Sequence, residues 1–229
     1  MGLVLGMMAR APVAGRCKTR LVPALGAEGA AALYDAMLRD SLDAYARVRA
    51  TRHVVLAAPE EDGWAALRAL APAAWDVIPQ TGPGLGQRLA AAMTALGASG
   101  DAVVIASSDS PMAPVEALEA ARDVLGAPRH VLLGPCTDGG YYLVGVSEAQ
   151  PGILDGITWS TSAVLTETRA RCRTLRLALH ELPVTFDVDE PADLGTLEAA
   201  VRADPERAPR VAASFGIARS PARRRAAGA

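Results

Sequence analysis

Short apolar runs alternate with longer stretches in which apolar residues return every three or four positions, and this alternation continues along most of the chain. Leu3–Met8, His53–Ala58, Asp76–Pro79 and Ala102–Ala106 have the length and apolar character of buried strands. Between them, Leu33, Met37, Leu38, Leu42 and Tyr45 mark one face of a helix from about Ala27 to Tyr45. Trp64–Leu70 and the Ala-rich Leu85–Leu96 predict two more helices, and Pro114 suits the first turn of another that runs to Leu125. Further on, His130–Leu133 and Tyr141–Val146 predict strands joined by a Gly-rich turn. Ser160–Arg173 then reads as a helix, Leu175–Leu182 as a last strand, and Pro191–Arg202 as a helix with acidic residues before it.

Strand–helix–strand order dictates a mostly parallel sheet flanked by helices, a single-domain α/β fold. Ligands in such sheets sit beyond the carboxyl ends of the strands, so the loops after strands are where chemistry belongs. The domain is expected over 1–202. The stretch 203–229 turns polar and ends in the basic R-S-P-A-R-R-R-A-A-G-A, a tail expected to be mobile at its end.

Composition narrows the function. With 229 residues and 51% of them apolar, the chain can bury a sizeable core. Its net charge of −2 excludes a dedicated nucleic-acid binder, and its few aromatics exclude a base-stacking platform. Met1–Met8 is too short to span a membrane and lacks the basic start of a signal peptide. Cys17, Cys136 and Cys172 form no C-x-x-C pair, so reduced thiols in a cytoplasmic protein are expected. His53, His130 and His180 stand apart in sequence and suit core or surface roles.

Four loops after strands carry chemistry. The first, Ala9–Leu21, holds Arg10, Pro12, Gly15, Arg16, Lys18 and Arg20, enough cations and backbone freedom to receive the phosphates of a nucleotide. It is not a Walker A loop, because Cys17 separates Arg16 from Lys18. The second, Gln80–Arg88, turns into a helix through Gly82, Gly84 and Gly86, where a base or ribose can approach the backbone, with Arg88 beside it. In the third, Asp109 follows a buried strand directly and is suited to a hard cation, Mg²⁺ (or Mn²⁺). In the fourth, Asp187 and Asp189 point the same way if the segment is extended, and one of them can complete the metal site. Asp193 and Glu190 are better explained by the helix that follows. A further hairpin-like turn, with Asp138, Gly139, Gly140 and Tyr141, can hold an acceptor, and Trp159 and Ser160 can add a wall and a hydroxyl.

Taken in order, R-A-P-V-A-G-R-C-K-T-R-L, L-G-Q-R, S-D-S-P, G-P-C-T-D-G-G-Y-Y-L-V-G, W-S-T and D-V-D-E-P-A-D-L resemble a bacterial family. Its members are glycosyltransferase-like proteins associated with radical-SAM proteins or arsenosugar biosynthesis. They are related to 2-phospholactate guanylyltransferase and, more distantly, to molybdenum-cofactor guanylyltransferase. The resemblance covers about residues 2–200. It implies a glycosyltransferase-A-like fold that takes a nucleotide and a divalent metal. Position by position, it makes Lys18 and Arg20 the phosphate-binding pair, Asp109 the metal carboxylate and Asp189 the second metal ligand. Arg10 stands where a Lys is common, and Ser107 where a Gly often precedes the Ser-Asp pair.

Three functions remain open at this point. One is nucleotidyl transfer from a nucleoside triphosphate to a small acidic or phosphorylated acceptor, with Lys18, Arg20 and Asp109 as catalytic residues. The second is glycosyl transfer from a nucleoside-diphosphate sugar. The third is a non-catalytic nucleotide-binding module. All three imply a nucleotide and, for the enzymes, a small-molecule acceptor, with no nucleic-acid or membrane partner. Oligomeric state is open, a homodimer included.

Overall fold

The computed structural model describes residues 2–59 and 63–217. Seven strands form one sheet: β1 (Leu3–Ala9), β2 (Arg52–Ala57), β3 (Asp76–Pro79), β4 (Ala102–Ser107), β5 (His130–Pro135), β6 (Tyr141–Val146) and β7 (Ala178–Glu181). Their order is β3-β2-β1-β4-β6-β5-β7. β1 pairs in parallel with β2 and β4, β2 with β3, and β5 with β7, while β6 runs antiparallel between β4 and β5. This is a single α/β domain built on one mostly parallel sheet.

The period-two alternation of each strand divides its side chains between two cores. Leu5, Met7, Val55, Val104 and Leu132 face one side, covered by α1 (Val22–Tyr45), α2 (Gly63–Leu70) and α4 (Val115–Ala121). Val4, Val54, Ile105, Val131 and Val144 face the other, covered by α3 (Leu85–Leu96) and α5 (Val164–Thr174). Both faces are dry, which is why these strands read as unbroken apolar runs.

Boundaries shift where backbone chemistry overrides periodicity. Helical turns begin at Val22, but Gly26 adopts φ 70° and ψ 166°, so the regular part of α1 starts about where the apolar spacing does. The helix expected to reach Leu125 ends at Ala121 and continues as a 3-10 turn. Ser160, at φ 63°, delays α5 to Val164, and Arg176, at φ 54°, delays β7 to Ala178. His130 and His180 are not isolated: β5 and β7 bring them together, stacked at 5.0 Å with Nδ1 and Nε2 3.0 Å apart. No described helix is long and apolar enough to cross a membrane.

The chain remains folded past residue 202. α6 (Asp193–Ala203) is followed by α7 (Pro209–Ser214), whose Val211 and Ala212 are fully buried with Leu33 and Met37 of α1 and Leu197 of α6. The basic end, 218–229, lies outside the described residues. Asp40 of α1 fastens α7. Its fully buried carboxylate accepts from Arg210 N (2.9 Å), Val211 N (3.0 Å) and the Arg210 guanidinium (2.9 Å). Asp40→Ala leaves those amides without an acceptor, and a loss of about 2 kcal/mol is expected in urea unfolding, against no change for Asp35→Ala on the same helix.

Candidate functional site

The parallel strands end on one edge, and their loops enclose an open cleft of about 680 Å³. β1 leads into the basic loop. There, Val13 N donates to Ala11 O and Arg16 N to Val13 O, while the Arg10 guanidinium donates to Arg16 O at 3.1 Å, folding the loop on itself. Gly15 takes φ 74° and Lys18 φ 44°; the second left-handed residue turns the Lys18 side chain back over the ends of the strands.

Lys18 is the centre of the site. Its side chain is only 7% exposed, and its ammonium lies 3.0 Å from Asp109 Oδ1 and 2.7 Å from Asp189 Oδ1. Burial works against the charge, but the two carboxylates outweigh it and hold the Lys18 pKa above its ordinary value. Below it, the phenol of Tyr34 hydrogen-bonds Ser108 Oγ at 2.9 Å and accepts from Arg10 N at 3.1 Å. Burial pushes that phenol up to about 12, so it remains a neutral donor and acceptor.

The two acidic loops reach the site by backbone pairing. Past β7, the chain continues extended along β5: Leu182 N donates to Leu133 O, Thr185 N to Pro135 O, and Thr137 N to Thr185 O. Val188 N then donates to Asp109 O at 3.1 Å, which locks the late loop to the end of β4. Val188 is fully buried, and Asp187 and Asp189, on either side of it, both line the cleft. They meet different partners. Asp189 holds Lys18, whereas Asp187 lies with Cys136 and Asp138, their ligand atoms within 4.8 Å of one another. Asp193 accepts from the amides of Asp189 (2.9 Å) and Glu190 (2.7 Å), so it shapes the loop ahead of its helix. Glu190 sits on the exposed rim, 3.5 Å from Arg20.

Burial, then the charges of Asp138 and Asp189, push the Asp187 carboxyl up to about 6. A carboxyl whose pKa is higher folded than unfolded favours folding while protonated. Its contribution is full below the unfolded value near 4 and is lost as pH rises through about 6. Melting temperatures measured from pH 4.5 to 7.5 are therefore expected to fall less steeply for Asp187→Asn than for the native protein.

The opposite wall comes from the β5–β6 turn and the segment before α5. Asp138 Oδ1 accepts from Gly140 N at 2.8 Å. Glu167 receives Thr158 N (2.6 Å) and Thr158 Oγ1 (3.0 Å), which sets the loop carrying Trp159. The indole meets Tyr141 edge-on, with centroids 6.4 Å apart. It lies so close to α3 that a Cβ on Gly86 would come within 2.1 Å of Trp159 Nε1. Gly86 thus serves the cleft by yielding room to the indole.

Of the residues singled out in the sequence, Arg10, Arg16, Lys18, Arg20, Arg88, Asp109, Asp138, Gly140, Tyr141, Trp159, Ser160 and Asp189 line this one cleft. Pro12, Gly15, Gly84, Gly86 and Gly139 lie outside its lining and shape the loops that do. Sequence reasoning missed Tyr34 as part of the site, and it took Ser108 only as a neighbour of Asp109 in the S-D-S-P stretch. It also passed over Gln80, whose buried amide donates to Leu56 O (2.6 Å) and Ala9 O (3.4 Å). Tyr34, in the middle of a helix, carries no local signature.

The donor set fits a hard divalent cation. Asp109, Asp138, Asp187 and Asp189 bring four carboxylates to one cleft. Cys136 adds little to them, because sulfur is a soft donor ill-matched to a hard cation, and burial raises its thiol to about 12. The acidic group and the basic loop face each other across Lys18, an arrangement suited to polyanionic phosphate.

Comparison with known proteins gives two kinds of likeness, to a family and to solved structures. Residues 41–161 match the family described as "Uncharacterized protein conserved in bacteria (DUF2064)". No curated protein sequence matches the chain. A "putative nucleotide-diphospho-sugar transferase" from Desulfovibrio desulfuricans G20 is 31% identical, with a TM-score of 0.85 over 94% of this chain and 95% of that one. Rv0371c of Mycobacterium tuberculosis H37Rv, crystallised in complex with manganese, is 17% identical, with a TM-score of 0.56 over 86% of this chain and 97% of that one. A cytidylyltransferase from Leptospira borgpetersenii is 15% identical, with a TM-score of 0.58 over 94% and 93%. The last two share the fold alone.

Proposed function

The chain belongs to the DUF2064 family of bacterial proteins, and on that premise we propose that it is a metal-dependent transferase acting on a nucleotide-activated donor. The observation that carries the reading is the meeting of Lys18 with Asp109 and Asp189 at the strand ends, in a cleft of about 680 Å³. That volume suits a nucleotide.

Nucleotidyl transfer is the reaction favoured by the single Asp after β4 and by the late Asp-x-Pro-x-Asp-Leu stretch. The nucleoside triphosphate enters over the basic loop, where Arg10, Arg16, Lys18 and Arg20 neutralise its phosphates. The acceptor lies along the facing wall lined by Asp138, Gly140, Tyr141, Trp159 and Ser160. Its oxygen attacks the α-phosphorus, the bond to the β-phosphate oxygen breaks, and pyrophosphate leaves toward Lys18 and Arg20. Asp109 and Asp189 are the residues that would hold Mg²⁺ or Mn²⁺, whose chemistry is to neutralise charge on the phosphoryl oxygens. The protein supplies position and charge, with no covalent intermediate.

Glycosyl transfer is the second reading, supported by the description of the 31% identical relative as a nucleotide-diphospho-sugar transferase. Thermal shift with Mg²⁺ against nucleoside triphosphates and nucleoside-diphosphate sugars separates the two. A ligand at about a hundred times its Kd adds roughly 2.7 kcal/mol. Stabilisation by one triphosphate, abolished by a chelator, is expected. Selective stabilisation by a diphosphate sugar instead favours glycosyl transfer, and no response to either panel in protein that melts cooperatively counts against the nucleotide site.

A further inference from the structure

The two carboxylates read as metal ligands already have a cation between them. Lys18 Nζ lies 3.0 Å from Asp109 and 2.7 Å from Asp189, and its side chain is 93% removed from solvent by complement of its 7% exposure. Besides the carboxylates, two features hold it there. Its backbone is left-handed, at φ 44° and ψ 44°. Its ammonium lies 5.8 Å from the centroid of the Tyr34 ring. Tyr34 is itself fixed between Arg10 N and Ser108 Oγ. A cation held by two carboxylates and an aromatic face is a competitor for any other cation.

From this we infer that Lys18 is the resting counter-ion of the Asp109–Asp189 pair, so that free divalent metal binds poorly and is taken up together with the nucleotide. The inference deepens the proposed function, since it takes Asp109 and Asp189 as the metal pair. A triphosphate offers the ammonium an alternative set of anionic oxygens, and the exchange of Lys18 from carboxylate to phosphate frees the pair for the metal that accompanies the nucleotide. The substrate is then the metal–nucleotide chelate rather than metal and nucleotide in either order. Arg20 cannot take this part: its side chain is 69% exposed, and it contacts Glu190 on the rim.

The test measures Mn²⁺ binding to the full chain without nucleotide, by the loss of the free-ion electron paramagnetic resonance signal. Lys18→Met keeps the length and apolar stem but removes the charge. It is expected to bind Mn²⁺ at least tenfold more tightly than the native protein, and the gain is expected to vanish in Lys18→Met/Asp109→Asn. Should Lys18→Met fail to melt cooperatively, Lys18→Asn, whose side chain tolerates the left-handed backbone, takes its place with the same expectation. Arg20→Met controls for net charge and is expected to change the affinity less than threefold. Native and Lys18→Met affinities within twofold of each other would overturn the inference, as would an Arg20→Met gain equal to that of Lys18→Met. Because no nucleotide is present, a flat nucleotide panel leaves this result standing and counts against the nucleotide reading alone.

Discussion

Asp109→Asn will lower turnover by at least about 10³-fold while the protein stays folded. The substitution preserves shape and removes one charge at the point where β4 ends. Backbone bonds hold Asp109 in place: its carbonyl receives Val188 N at 3.1 Å and its amide donates to Ser107 Oγ at 3.0 Å. Neither bond involves the carboxylate, so the loop keeps its form in the variant. The side chain is 37% exposed, and losing one of two contacts with Lys18 costs less than about 1 kcal/mol of stability. Pyrophosphate release under saturating metal and nucleotide, beside a melting curve for each protein, measures both quantities. Turnover within tenfold of native would remove Asp109 from the chemistry.

The second large effect is on stability. Gly139 lies at φ 91°, and a Cβ there would meet the backbone carbonyl oxygen of Ser162 at 2.2 Å. Both costs act together, because the oxygen belongs to a main chain that is tied back to the same turn by Leu165 N donating to Gly139 O at 2.8 Å. Gly139→Ala is therefore expected to lose about 3 kcal/mol or more and about 10 °C in Tm. By contrast, Gly15→Ala, at φ 74° with no atom near the added carbon, should lose about 1 kcal/mol. Differential scanning calorimetry on the two variants compares a clash plus strain with strain alone. Equal losses would mean that the Ser162 backbone gives way.

The sheet and the poles of the site were legible because they depend on local pattern. Asp109 comes just past the buried β4, where a polar residue can only lie at the sheet's edge, and Lys18 lies in the polar loop that leaves β1 at the same edge. Tyr34 and Ser108 were not legible as a pair, since they lie 74 positions apart and each alone looks like an ordinary helix or turn residue. Asp187 and Asp189 were read as facing the same way, and they do line one cleft. Their separate partners depend on the turn at Asp138 and on the left-handed Lys18, which no spacing rule encodes. α7 escaped notice because it is less than two turns long, and its anchor, Asp40, is 170 positions from Arg210.

The bond between Lys18 and Asp189 joins positions 171 residues apart. During synthesis, the basic loop and the first strands leave the ribosome long before their acidic partner exists. Until the residues around Asp189 and Asp193 have emerged, Lys18 has only Asp109 to pair with, and the cleft lacks Asp187. A nascent chain thus lacks half of the carboxylate pair around Lys18, and under the proposed function it is expected to be unable to turn over nucleotide until nearly all of the domain has been made. Closing so distant a contact is also slow, which makes completion of the cleft a late event in refolding.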